Sequence, residues 1–225
     1  SDAVRALTSL AALLLALLAA PIGAAPAAAP VATVAPGTVV RWAGAGLTSC
    51  EIAKRRWQPL DGACWYAIDL EKKGRVELVR RSSGGVATRT VEVGAYPYPT
   101  QQLEVEEKYV APSAADLERI ERDKQRAGAA FARETERRFT LPLAAPLDSL
   151  PPSGRFGARR VFNGQPRSPH GGADFKAKPG TLVRAAADGR VVVAEDQYFP
   201  GRAVFIDHGD GLISMSFHFS EILVK

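Results

Sequence analysis

Hydrophobic positions change their rhythm several times along the chain. Residues 4–20 carry a single basic residue, Arg5, and then an apolar, leucine-rich run that ends at Pro21. Beyond an Ala/Pro stretch reaching Pro36, strand-like runs cover residues 38–42, 64–70, 75–81, 86–93 and 103–110, bounded by Asp61-Gly62, Lys73-Gly74, Gly84-Gly85 and the prolines at 97 and 99. Alternation in 75–79 and 88–93 puts apolar side chains on one face and polar ones on the other, which predicts a small antiparallel β-sandwich-like domain over 36–112. Ser113 and Asp116 suit a helix start, and a connecting helix is expected over 113–139, running to about Arg138. Its apolar positions Leu117, Ile120, Ala127 and Phe131 form only a thin stripe. Residues 140–153 are Pro-rich and aperiodic, as in a linker. From Gly154 the β pattern returns at 182–185, 190–194, 203–207 and 212–219, separated by Pro179-Gly180, Asp188-Gly189 and Gly209-Asp210-Gly211. The fold class expected is mainly β.

Composition narrows the function classes. The 225 residues carry 29 Lys plus Arg against 24 Asp plus Glu, a net charge of +5, which suits anionic surroundings such as a cell wall. A nucleic-acid role lacks any aromatic or glycine-rich recognition element to accompany the charged helix. Residues 1–35 read as a signal peptide and an Ala/Pro-rich spacer, because the apolar run is shorter than a membrane span needs and is followed by small residues such as Gly23-Ala24-Ala25. An uncleaved anchor is the alternative. Export to the periplasm or cell envelope of a bacterium would place Cys50 and Cys64, the only two cysteines, in an oxidising compartment. A disulfide worth about 3 kcal/mol is then the economical reading, and two separate buried thiols the other.

Three histidines bound any imidazole chemistry. His170-Gly-Gly-Ala-Asp174 sets an imidazole and a carboxylate four apart across two glycines after Pro169, which reads as a loop entering a strand. That donor pair suits zinc, although zinc sites usually need three protein ligands, and a surface His beside an Asp would give the same pentapeptide. His208, before Gly209-Asp210-Gly211, sits where a histidine can cap a tight turn, so a structural role is expected there and not metal binding.

Ser168-Pro-His-Gly-Gly-Ala-Asp174, then Gly180-Thr-Leu-Val-Arg-Ala-Ala-Ala-Asp-Gly189, Val204-Phe-Ile-Asp-His-Gly-Asp-Gly-Leu212 and Phe217-His-Phe-Ser220 resemble, in content and order, the lysostaphin-like, LytM-type zinc metalloendopeptidases of cell walls. The likeness covers about residues 154–225, and more loosely the preceding β region and helix resemble the N-terminal part of exported bacterial members. It implies zinc as cofactor, His170 and Asp174 as its first two ligands, and His218 as the active-site histidine. The family motif around that histidine is usually Tyr-x-His-Leu-Ser; here Ser216 and Phe219 replace the Tyr and the Leu. Asn163 and Arg167 match the family pattern in the loop before the metal motif and are expected to bind substrate, with turn and surface residues as the plain alternative.

The resemblance further implies a peptide cross-link of peptidoglycan as substrate, and a peptidase domain at 154–225 that is incomplete. In this family a downstream His-x-His strand supplies the third zinc ligand, and the sequence reaches Lys225 before it. The chain as given, which also opens on Ser1, therefore reads as truncated and inactive by itself. A non-catalytic LytM-type regulator that activates other cell-wall hydrolases, such as amidases, is the alternative function. A wall-binding β module is a third. The N-terminal β region, lying upstream of the catalytic segment, is a candidate to occlude its groove.

Overall fold

A computed structural model describes residues 31–225; the signal-like run and most of the Ala/Pro stretch lie outside the described residues. The fold is mainly β. In chain order the strands are β1 (Ala32–Val34), β2 (Val39–Ala43), β3 (Leu47–Ile52), β4 (Arg55–Trp57), β5 (Ala63–Ala67), β6 (Gly74–Ser82), β7 (Gly85–Val93) and β8 (Thr100–Leu103). Helix α1 (Ala114–Phe131) follows, and then β9 (Arg159–Phe162), β10 (Gln165–Arg167), β11 (Arg190–Gln197), β12 (Gly201–Asp207) and β13 (Ile213–Ser216).

The first sheet has the order β1-β7-β6-β3-β4, with β6 and β7 paired antiparallel along their whole length and β1 added in parallel at the edge. A two-stranded β2-β5 ladder completes this part. The alternation read in the sequence has the expected effect: Val76 and Leu78 on β6, and Val91 and Val93 on β7, are buried against Trp42, Tyr66 and Ile68. Cys50 and Cys64 are fully buried in that core and joined by a disulfide. Replacing both by alanine is expected to lower stability by about 3 kcal/mol, because the link restrains a 14-residue separation in the unfolded chain. Urea denaturation of the oxidised protein and the double variant measures it, and equal midpoints would rule the effect out.

Several elements differ from the sequence reading, each for a physical reason. The β3–β4 turn uses Ala53 and Lys54 at φ 46° and 71°, a left-handed turn without the usual Gly, so the hairpin carries no composition signal. The run at 103–110 holds only the end of β8, then a 3-10 turn at Glu107–Tyr109. Residues 182–185 do not join a sheet; Arg184 N donates to Pro146 O and Ala144 N to Ala186 O, so they lie along the Pro-rich linker instead. The last run forms a strand only over Ile213–Ser216.

Helix α1 opens with the reciprocal Ser113–Asp116 capping box and ends at Phe131, about two turns short of the expected Arg138. Its buried Ala130 packs on Val193, Ala203 and Phe205 of β11 and β12, and no apolar stripe extends further. Residues 133–138 instead run extended along the turn after β12: Arg138 N donates to His208 O and Asp210 N donates to Thr135 O.

The strands β8, β9 and β10 form one sheet in which β8 pairs in parallel with β9, Thr100 opposite Arg159 and Leu103 opposite Phe162. The boundary drawn at 112 therefore divides the sequence but not this sheet, which ties the N-terminal β region to the segment holding His170. β11, β12 and β13 form a separate antiparallel meander.

Candidate active site

The loop between β10 and β11 brings His170 and Asp174 together: Nε2 of His170 lies 3.2 Å from Oδ1 of Asp174. Backbone bonds fix both ends of the pair. His170 N donates to Ala158 O, Gly157 N donates to His170 O, and Asp174 bridges to Gly154. The other ring nitrogen, Nδ1, is 3.0 Å from the carbonyl oxygen of Arg155. A carbonyl can only accept, so Nδ1 carries a proton, and Nε2 is the ring nitrogen that faces the carboxylate. Two acceptors facing one another repel unless a proton or a cation lies between them. Ligand atoms each about 2.0–2.1 Å from a tetrahedral zinc are separated by roughly 3.3 Å, so the observed spacing fits two corners of such a site.

A tyrosine pair seats the loop that carries the Arg155 carbonyl. Tyr96 donates its hydroxyl to Gly157 O, Tyr98 donates to Pro36 O, and the two rings stand edge to face with centroids 5.2 Å apart. Tyr98 also meets Phe156 edge-on at 5.6 Å. Gly157, at φ 75°, leaves no space for a side chain: a Cβ there would lie 2.4 Å from the Tyr98 ring. Burial pushes the Tyr96 hydroxyl above its ordinary pKa, so it remains a donor. In the sequence Pro97 and Pro99 mark only a boundary. The available signal was Tyr96-Pro-Tyr98-Pro, in which prolines hold the chain extended and put both rings on one face.

His218 lies just beyond β13, at φ 59°, and its N–H donates to Pro200 O. A bulky side chain in the left-handed region is uncommon and concentrates at functional sites. Its neighbour Phe217 packs on Phe205 with centroids 6.0 Å apart, and Ser220 Oγ accepts from Gly180 N. Among the described residues no hydrogen bond or ion pair joins His218 to His170 or Asp174, and no third His, Cys, Asp or Glu completes a metal cluster with that pair.

Asn163, at φ 48°, forms the β9–β10 turn with Gly164. Its amide is engaged with the backbone of Val105, accepting from Val105 N at 2.9 Å and donating to Val105 O at 3.0 Å. Arg167 donates to Val110 O and to Gln165. His208 is fully buried, with Nδ1 against Asp188 O and Nε2 against Ser214 Oγ, both at 2.8 Å, the structural role its turn position suggested. Beside it, burial would raise the pKa of Asp207, but hydrogen bonds from Gly209 N, Arg133 and Thr135 overcome that and hold the carboxyl below its ordinary value.

Residues 168–225 match the family model of Peptidase family M23. Two relatives from Vibrio cholerae are similar over part of the chain. The peptidoglycan DD-endopeptidase ShyA is 38% identical over 74 residues, 32% of this chain and 17% of that protein. The peptidoglycan DD-endopeptidase ShyC is 36% identical over 85 residues, 37% of this chain and 19% of that protein. The matched stretch thus spans less than a fifth of either relative. A crystal structure of a candidate M23 peptidase from Pseudomonas aeruginosa superposes with a TM-score of 0.61 at 28% identity, covering 85% of this chain and 76% of that one.

Proposed function

We propose that the protein is an exported, zinc-dependent endopeptidase that hydrolyses peptide cross-links of bacterial peptidoglycan, with His170 and Asp174 as metal ligands and His218 as the active-site histidine; the match of residues 168–225 to the model of Peptidase family M23 supports the reading. The observation that carries the reading is the 3.2 Å approach of His170 Nε2 to Asp174 Oδ1, a spacing that two ligands of one cation also have. The signal-like run at residues 4–20 supports delivery to the envelope. Among the described residues no helix is long and apolar enough to cross a membrane.

The donor set fits zinc, an imidazole and a carboxylate being ordinary ligands for it. When bound, zinc supplies a Lewis acid that polarises a carbonyl and lowers the pKa of a bound water to about 7. The chain's own groups prepare that chemistry. Arg155 O fixes the tautomer and ring plane of His170, the orienting bond that keeps a ligand histidine's lone pair aimed at a metal. Asp174, held by its bridge to Gly154, brings the negative charge. His218 offers a ring nitrogen to hydrogen-bond the developing oxyanion or to move a proton to the leaving amine. Asn163 and Arg167 remain proposed substrate contacts only through the side-chain N–H groups not engaged by Val105, Val110 and Gln165.

The regulator alternative keeps one observation in its favour, the pairing of only two metal-type ligands among the described residues. Purified sacculi separate the two readings. Incubated with zinc and with the chain continued into a His-x-His strand, they should release new amino groups, and His170→Ala should reduce the release by at least about 1000-fold. A chain that releases nothing itself but accelerates a purified wall amidase supports the regulator and removes the peptidase.

A further inference from the structure

A cleft of about 620 Å3 lies between the N-terminal β region, Arg159 on β9 and Pro169 in the loop after β10. Lys72, Lys73, Tyr96, Arg159 and Pro169 line it, Pro169 being the residue immediately before His170. That volume suits a short peptide or small molecule. Its charge sets it apart. Three cations, Lys72, Lys73 and Arg159, face a single carboxylate, Glu71. None of the four forms an ion pair among the described residues, whereas Glu51, Glu92, Asp196, Glu195, Asp207, Asp210 and Asp148 each hold an arginine. An excess of unpaired cations around a concave site raises the local concentration of anions.

The cleft is also built, and not only charged. The Arg159 guanidinium lies 4.3 Å over the Tyr96 ring, a stacking that orders the planar group while leaving its N–H edge free. The Tyr96 hydroxyl is spent on Gly157 O, and Gly157 N donates to His170 O at 2.7 Å. One short chain of bonds therefore sets the position of Arg159's platform relative to the His170 backbone. Pro36 and Leu70 add an apolar wall, enough for a small aliphatic side chain.

We propose that this cleft binds the carboxylate of a peptide substrate, with Arg159 as the forked donor and Lys72 and Lys73 as supporting charges, so that the N-terminal β region is a specificity determinant of the site. The proposal rests on the peptidase reading given above. A planar guanidinium matches a carboxylate with two parallel N–H···O bonds, which lysines alone do not provide. The preferred substrate then carries a free carboxylate within a few residues of the bond that is cut.

Calorimetric titration of the 225-residue chain with acetyl-lysyl-D-alanyl-D-alanine, and with the same peptide as its C-terminal amide, tests it. The acid is expected to bind at least about tenfold more tightly, the effect of one charge-assisted hydrogen bond. Lys72→Ala/Lys73→Ala should reduce that preference to about threefold or less, and Arg159→Lys should abolish most of it. His170→Ala should retain the preference, since it removes a metal ligand and no cleft cation. Melting temperatures within a few degrees of the parent exclude misfolding of the variants, and Lys72→Gln/Lys73→Gln repeats the test with longer side chains. Equal binding of acid and amide by the parent overturns the proposal, and so does an unchanged preference in the lysine variants. Inorganic phosphate displacing the acid at equal concentration overturns the peptide assignment in favour of a phosphate-bearing polymer. Hydrolysis of sacculi that persists without any acid preference sinks the cleft but leaves the peptidase intact; an acid preference with no hydrolysis does the reverse.

Discussion

Zinc titrated into the 225-residue chain is expected to bind about 100-fold or more weakly than to the same chain continued into a strand carrying a His-x-His pair, and the shorter chain is expected to release no muropeptides. Ligand count sets the difference. Structural zinc sites of four ligands bind with about 10–16 kcal/mol, so one ligand is worth roughly 3 kcal/mol, or about 100-fold. His170 and Asp174 provide two, at 3.2 Å, and no further His, Cys, Asp or Glu joins them among the described residues. His208, a candidate by residue type, has both ring nitrogens occupied by Asp188 O and Ser214. Competition against a chromophoric chelator gives the affinity, and chromatography of digested sacculi gives the products. Stoichiometric zinc and cleavage by the shorter chain would falsify the two-ligand account. In the longer chain, His170→Ala and Asp174→Ala should each weaken zinc by a similar factor, whereas His208→Ala should lower stability by leaving buried partners unpaired.

The second large effect is structural. Gly209→Ala is expected to destabilise the protein by about 3–5 kcal/mol, among the largest effects of any single methyl group in this fold. Gly209 has φ 83°, and a Cβ there would lie 1.8 Å from the carbonyl oxygen of Glu136, an overlap that only backbone movement can relieve. The backbone it would push is stitched down on both sides, by Asp210 N to Thr135 O at 2.8 Å and Arg138 N to His208 O at 2.7 Å. Moving it also pulls Thr135 and Arg133 from Asp207, a carboxylate only 3% exposed that depends on them. Gly211 provides the control. It too is left-handed, at φ 77°, but an added Cβ meets only the Arg55 side chain at 3.8 Å, so Gly211→Ala should cost about 1–2 kcal/mol. Thermal melts of the two variants decide the matter: similar losses would mean that conformation alone, and not the overlap with Glu136, sets the cost. Hydrogen exchange at residues 133–138 should rise in the first variant only.

The two effects lie at opposite ends of what can be read from a sequence. His170, Asp174 and His218 could be singled out as candidates because the order of the motifs resembles a family in which those side chains carry metal and proton chemistry. The alternating β6 and β7 likewise announce their buried face, since period two needs only neighbours in sequence to be visible. The Ser113 capping box is local for the same reason. Other features have no local signature. The end of α1 at Phe131 depends on whether residues 133–138 gain more from continuing the helix or from binding Asp207, His208 and Asp210, some 70 residues away. The β3–β4 turn is left-handed at Ala53 and Lys54, a strain that the surrounding sheet sustains and composition does not reveal. The support of the site is the clearest case. Tyr96 and Tyr98 matter because the parallel pairing of β8 with β9 brings them to Gly157 and Phe156, and parallel pairing joins segments that are remote in sequence. The candidate chemistry of the site was therefore legible in residue identity, while the orientation of its groups and their attachment to the N-terminal sheet were decided by long-range contacts whose free energy exists only once the chain has folded.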